Sequence, residues 1–243
     1  MSLLVVAVLW EVVARTGVVP PYFLPPLSAI AAKIGTDLVQ GPLLVAAGMT
    51  LYRMLVAYAA AAVVGITLGV AMGRVRWVRW FFDPLVSLGF PAPKISFLPV
   101  LILWFGLSDL PKIVLTALDC VFPIVSATYL GTRDVERTLV WSALNLGTRE
   151  RALLWKILVP AALPQILSGL QVALPVAFIV MIVSEMLTGS VGLGGYIGEG
   201  YRFAVATTVF AGLVVTGALG YAGLALFAQL RRWCLVWHEE TAG

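Results

Sequence analysis

Long apolar blocks alternate with short polar intervals along this chain, and the blocks predict its elements. Residues 2–13 are apolar but interrupted by Glu11, so they predict a short interfacial helix rather than a deep crossing. Four prolines between Gly17 and Pro26 exclude a continuous helix there. Ser28 is placed to cap a short amphipathic helix running to about residue 39, which Gly41 and Pro42 end. Further crossings are predicted over residues 49–72, 81–105, 113–130, 163–187 and 203–230. Gly65, Gly69 and Gly73 recur every four residues, as do Gly212, Thr216 and Gly220, and such small-residue ladders let helices approach closely. Residues 188–200 are rich in glycine and read as a flexible external connection.

Composition sets the solvent. Of 243 residues, 61% are apolar and 12% charged, with a mean hydropathy of +1.00. A water-soluble domain would be nearer half apolar and a quarter charged. The expectation is an all-α membrane protein with about six transmembrane helices, forming one domain over residues 1–243 without a soluble appendage. The N-terminus lacks the basic stretch of a cleaved signal peptide, so the first segment is expected to stay. Cys120 and Cys234 match no ligand or disulfide spacing and read as packing residues.

The net charge of +4 does not point to nucleic acid, because the basic residues are scattered among apolar blocks. Topology explains them better. With the N-terminus inside and six crossings, Arg74, Arg76, Arg79, Arg133, Arg137, Arg149, Arg151, Lys156, Arg231 and Arg232 fall on the cytoplasmic side. That is ten of the 16 lysines and arginines, the direction of the positive-inside rule, and it makes both termini cytoplasmic.

The longest polar interval between apolar blocks is residues 141–164. A helix-compatible run precedes Gly147, a second helix is predicted from Arg149 to about Leu158, and Pro160 is expected to close it. Leu153, Leu154, Ile157 and Leu158 share one face of that helix. On pattern alone this is either an element that docks into a partner's groove or a connector lying on the membrane surface.

Its spacing resembles the EAA loop of binding-protein-dependent ABC importer permeases, E-A-A-x3-G-x9-I-x-L-P. Ala143, Gly147, Ile157 and Pro160 occupy the alanine, glycine, isoleucine and proline positions with every interval kept. Trp141, Ser142 and Val159 replace the glutamate, the first alanine and the leucine. Residues 90–106 (FPAPKISFLPVLILWFG), 160–164 (PAALP), 184–186 (SEM) and 192–196 (GLGGY) are similar to the nitrate, sulfonate and taurine branch. So are Trp10 and Glu11 with residues 19–26 (VPPYFLPP), so the likeness covers essentially the whole chain.

This resemblance implies a type I importer fold with a cytoplasmic coupling loop at about residues 131–160. It further implies two permease copies, two cytoplasmic ATPases and a periplasmic or lipid-anchored substrate-binding protein, in the bacterial cytoplasmic membrane. Ala143, Leu144, Asn145, Leu146, Gly147, Thr148, Ile157 and Pro160 would couple the chain to the ATPase, with Leu144 and Leu146 buried in its groove. The default cargo is a small anion such as nitrate, a sulfonate or taurine. Bicarbonate, a thiamine-precursor pyrimidine or another small organic compound stay open.

The chain has no Walker A sequence, no G-x-S-x-G, no H-E-x-x-H and no metal-ligand cluster, and its one histidine is His238 near the end. Catalysis by this polypeptide is not expected, and no cofactor is expected in it, ATP and Mg2+ belonging to the partner ATPase. Lys94 lies in a block broken by Pro91, Pro93 and Pro99, while Asp119 and Glu185 lie inside apolar crossings. Ionisable groups at membrane depth face a cavity or pair with one another. A substrate pathway through Pro91, Pro93, Lys94, Asp119 and Glu185 is one reading, with Lys94 meeting Glu185 or an anionic substrate. The other reading puts both prolines at a membrane surface, with Lys94 reaching the headgroups. Rivals to the importer are a stand-alone ion-coupled transporter or channel built on the same charges, and a membrane scaffold.

Overall fold

The computed structural model describes residues 2–236; Met1 and the residues after Val236, His238 among them, lie outside these. Among the described residues there are no β-strands. The helices are α1 (Ser2–Thr16), α2 (Leu27–Val39), α3 (Leu43–Arg74), α4 (Arg76–Gly89), α5 (Leu98–Phe105) and α6 (Leu110–Arg133). They continue as α7 (Arg137–Asn145), α8 (Glu150–Leu153), α9 (Val159–Thr188), α10 (Leu193–Arg202) and α11 (Ala206–Cys234). A 3-10 turn (Lys94–Phe97) leads into α5, and a π segment (Leu154–Leu158) joins α8 to α9.

Four helices are long and apolar enough to cross a membrane: Leu43–Arg74, Leu110–Arg133, Leu154–Thr188 and Ala206–Cys234. A fifth span exists if α4 and the Lys94–Phe105 limb, bent by 95° between them, count as one. The expected six crossings therefore resolve into four or five among the described residues. At 15 residues α1 is shorter than the ~20 needed to cross.

The core is the α3–α6–α9 bundle. Met54, Ala57 and Ala61 of α3, Cys120 and Ile124 of α6, and Ala173, Ala177 and Met181 of α9 are all buried in one cluster. The first glycine ladder makes this closeness possible. A methyl group built on Gly65, Gly69 or Gly73 would collide with Ile124, Thr128 or Thr132 in turn, one contact per turn along α6. In the second ladder Gly212 meets Ile197 and Tyr196 of α10, whereas Gly220 faces open space.

Three local expectations are corrected. Ser28 is not a helix cap, because α2 starts at Leu27 after Pro26, and the Ser28 hydroxyl instead donates to Glu11 Oε1 at 2.8 Å. Residues 188–200 are not a flexible connection: α10 begins at Leu193, and seven of its residues are buried between α3, α9 and α11. Its glycines serve as close-contact surface, since a side chain at Gly194 would strike the Ile182 carbonyl. Nor does Pro160 end a helix. It sits in the first turn of α9, where its missing N–H is tolerated, and the π segment just before it carries helical structure from α8 into the long span.

Candidate coupling element and buried charge clusters

α7 ends in a geometry that its sequence demands. Gly147 has φ +84°, the Thr148 N–H donates to the Ala143 carbonyl at 3.0 Å, and the Gly147 N–H donates to the Leu144 carbonyl at 2.9 Å. This is a Schellman closure with a glycine in the left-handed position, where a Cβ would be strained. The chain reverses at Thr148, and α8 packs back against α7. Ala143, Leu153 and Leu158 form a small buried cluster, with Val135, Val140 and Ile157 packed against it.

The predicted coupling residues thus divide. Ala143, together with the half-buried Ile157, belongs to this miniature core. Leu144 and Leu146 point outward, Leu146 being 87% exposed, and Trp141 and Trp155 are exposed as well. Asn145 is exposed and Thr148 half-buried beside them. An apolar tip held by a rigid reversal can fill a groove on another protein.

The pathway residues separate into two clusters. Lys94 is buried, and its Nζ reaches Asp119 Oδ1 at 2.8 Å, the Phe90 carbonyl at 3.1 Å and the Ala92 carbonyl at 3.4 Å. Its ammonium also lies 4.7 Å from the centre of the Phe122 ring. The Lys94 side chain therefore turns into the protein rather than out of it. It ties the break after α4, where Pro91 and Pro93 leave carbonyls without helical partners, onto the middle of α6. Beside it is a cavity of about 300 Å3 bounded by Ala92, Phe97, Leu101, Leu115, Leu118 and the Phe122 ring.

Glu185 is not the partner of Lys94. Its carboxylate is fully buried and accepts from Arg53 Nη1 at 2.7 Å, the Thr50 hydroxyl at 2.7 Å and the Gly194 N–H at 3.2 Å. Arg53 also donates to the Val191 carbonyl, and its Nε lies 2.8 Å from Asp109, which pairs with buried Lys112 at 3.2 Å. This network locks α10 and the end of α9 to the starts of α3 and α6. Asp119 lies ten residues further along α6 than Asp109, ~15 Å by helix rise, so the two clusters are distinct.

Sequence reasoning passed over Arg53, although a signal was present: it is the one charged residue within the apolar block 49–72. Asp109 and Lys112 lay just outside the predicted crossing over 113–130, which the helix exceeds at both ends. Outside the spans, buried Tyr196 of α10 donates to Asp37 Oδ2 at 2.6 Å, and Lys33 lies 3.0 Å from the same oxygen. Burial pushes the Asp37 carboxyl upward, but these donors outweigh it and hold it below the usual carboxylate range.

The family model described as "Binding-protein-dependent transport system inner membrane component" matches residues 61–233, well over half the chain, including α7 and Gly147. The chain belongs to this family. It is a multi-pass permease subunit of an ABC importer. The permease is 30% identical to the taurine transport system permease protein TauC of Escherichia coli, over 99% of this chain and 89% of that one. With the formylaminopyrimidine transport permease protein ThiX of Halalkalibacterium halodurans it shares 31%, over 98% and 94% of the two chains. With the putative aliphatic sulfonates transport permease protein SsuC of Bacillus subtilis it shares 28%, over 98% and 87%. A solved structure of the MetNI methionine ABC transporter, inward facing, aligns with a TM-score of 0.67 at 18% identity, covering 79% of this permease and 95% of that chain. That likeness identifies the fold as the type I importer transmembrane fold.

Proposed function

We propose that this permease imports a small sulfonate-type anion, driven by a separate cytoplasmic ATPase that docks on the tip of α7. The observation that carries the docking role is the exposed Leu144–Leu146 tip set by Gly147, in the loop whose spacing matches the family's. Two permease copies, two ATPases and a substrate-binding protein make up the working assembly, with ATP and Mg2+ on the ATPase. α7 and the C-terminal end of α11 lie on the cytoplasmic side. With α3, the bent α4–α5 pair, α6, α9 and α11 each crossing, all ten basic residues counted above fall there, and the N-terminus joins them when α1 crosses as a sixth span. ATP-driven closure of the ATPases moves α7 and α8, and their continuation through the π segment makes α9 the lever that receives the motion.

Taurine and aliphatic sulfonates are the preferred cargo, because relatives that align over nearly the whole permease are named for transporting them. The formylaminopyrimidine relative keeps a thiamine-precursor pyrimidine as the second reading, at similar identity. Nitrate, bicarbonate and another small organic compound are the remaining candidates. The pathway passes the break at Pro91 and Pro93, where an oxyanion competes with Asp119 for Lys94 beside the apolar cavity. Glu185 serves this pathway from a distance, by holding α10 in place.

Purification of the tagged permease in mild detergent, followed by uptake in proteoliposomes, tests the proposal. A Walker A-containing ATPase should co-purify, and ATP-dependent uptake of taurine or an alkanesulfonate should exceed that of formylaminopyrimidine. A permease that purifies alone and transports along an ion gradient without ATP would favour the stand-alone carrier. Lys94→Ala should weaken anion uptake while ATP hydrolysis persists; unchanged uptake would remove Lys94 from the pathway.

A further inference from the structure

The α3–α4 elbow carries three arginines that the described protein leaves unneutralised. Arg74, Arg76 and Arg79 are exposed, and none makes a side-chain hydrogen bond or ion pair among the described residues. Asp83 stands four residues after Arg79 without pairing to it. These arginines do nothing in the coupling element or in either charge cluster.

α4 presents three different faces. Val78, Phe82, Val86 and Gly89 are half-buried, and Gly89 packs on Phe122 of α6, so this side faces the bundle. Trp77, Phe81, Leu85 and Leu88 recur every three or four residues and are exposed, Trp77 at 79%. Arg76, Arg79 and Asp83 make the third sector, with Trp80 at its edge, 74% exposed and set edge-to-face against Trp77. An open hollow of about 810 Å3 lies among Arg76, Arg79, Trp80, Phe81 and Asp83. All this follows directly on the 32-residue apolar helix α3, which delivers it to a membrane surface.

A helix with one face on protein, one apolar face open and one basic face is matched to the boundary between acyl chains and headgroups. Tryptophans concentrate at that depth, and basic clusters beside a span attract anionic lipids. We infer that the α3–α4 elbow binds the phosphate of an anionic phospholipid, through Arg76 and Arg79 with Arg74 adding charge, while Trp77, Phe81 and Leu85 lie against its acyl chains. Asp83 limits the affinity by placing a carboxylate beside the same phosphate. The site takes phosphatidylglycerol in preference to phosphatidylcholine, because the two share acyl chains and differ in net headgroup charge.

Native mass spectrometry of the permease, with whatever subunits co-purify, tests this after delipidation and titration with phosphatidylglycerol or phosphatidylcholine of identical chains. Each arginine near a charged lipid surface is worth about fivefold in affinity, so Arg76→Gln with Arg79→Gln should weaken phosphatidylglycerol retention about 25-fold. Phosphatidylcholine retention should stay as it was, and so should the thermal midpoint, since both side chains are exposed and unpaired. Asp83→Asn should strengthen phosphatidylglycerol retention a few-fold, a gain that misfolding cannot produce. Equal retention of both lipids by the parent permease overturns the inference, as does phosphatidylglycerol retention unaltered by the arginine pair or by Asp83→Asn. Loss of a co-purifying subunit with lipid retention unchanged also overturns it, and assigns the arginines to a protein partner.

Discussion

The α3–α6–α9 bundle and the α7–α8 elbow are both helical and both depend on glycine, yet they hold their shapes by opposite means. In the bundle, glycine removes bulk: Gly65, Gly69 and Gly73 let α3 lie against α6, and stability comes from close packing along the helices. In the elbow, glycine supplies a backbone conformation. Gly147 has open space around it and a left-handed φ, and beneath it lies a core built on Ala143, Leu153 and Leu158. A change of volume should therefore damage the bundle, and a change of backbone freedom should damage the elbow. The elbow has little core of its own, and its apolar tip gains by meeting a partner.

The largest effect is expected where the bundle buries charge. Glu185→Ala leaves Arg53 buried with one carboxylate fewer, and loss of one member of a buried pair costs about 3–5 kcal/mol. The thermal midpoint in detergent should fall sharply, and replacing Arg53 and Glu185 together by leucine should recover part of the loss. A midpoint unchanged by Glu185→Ala would mean that the network does not hold α10.

Next in size is the tie between α2 and α10. Tyr196→Phe removes a buried hydrogen bond to a carboxylate and should cost about 1.5–3 kcal/mol. Because the Asp37 carboxyl is held below its ordinary value of 3.8, its contribution is fully present above that pH and is lost as the pH falls below it. Thermal melting of the parent should therefore worsen on acidification more steeply than that of Tyr196→Phe. Parallel pH profiles would remove the Tyr196–Asp37 bond from the account.

Packing gives the sharpest contrast between two glycines. Gly69→Leu overfills the α3–α6 contact, where a Cβ would already meet Thr128, and should cost about 1–3 kcal/mol. Gly217→Ala, on a face of α11 with nothing within 4 Å, should instead stabilise the helix by about 0.5–1 kcal/mol. Disruption of a dimer by Gly217→Ala would show that a second chain covers that face.

Hydropathy made the long helices legible, since α3, α6, α9 and α11 each contain most of a predicted apolar block. Loop spacing made the elbow legible too, because a Schellman closure needs glycine at one position and Gly147 occupies it. The α10 segment was missed for a physical reason. Four glycines in ten residues look like a flexible linker when only backbone freedom is weighed, but here they create contact surface against α9 and α11. Pro160 misled in the same way, because a proline in the first turn of a helix starts one as readily as it stops another. Charge pairing was the least legible feature. Lys94, Asp119 and Glu185 stood out singly, but only the fold reveals that Asp119 takes Lys94 while Arg53 takes Glu185.

The central claim, that the α7 tip held by Gly147 transmits ATPase motion to the spans, is tested most directly by Gly147→Val. A β-branched residue at φ +84° should cost about 1–2 kcal/mol locally, so the permease still folds and reaches the membrane. In proteoliposomes of the assembled transporter, ATP hydrolysis and uptake are measured together. The account predicts that uptake per ATP hydrolysed falls at least tenfold in Gly147→Val, or that the ATPase no longer co-purifies. An assembled Gly147→Val transporter with the parent's ratio of uptake to hydrolysis would contradict it.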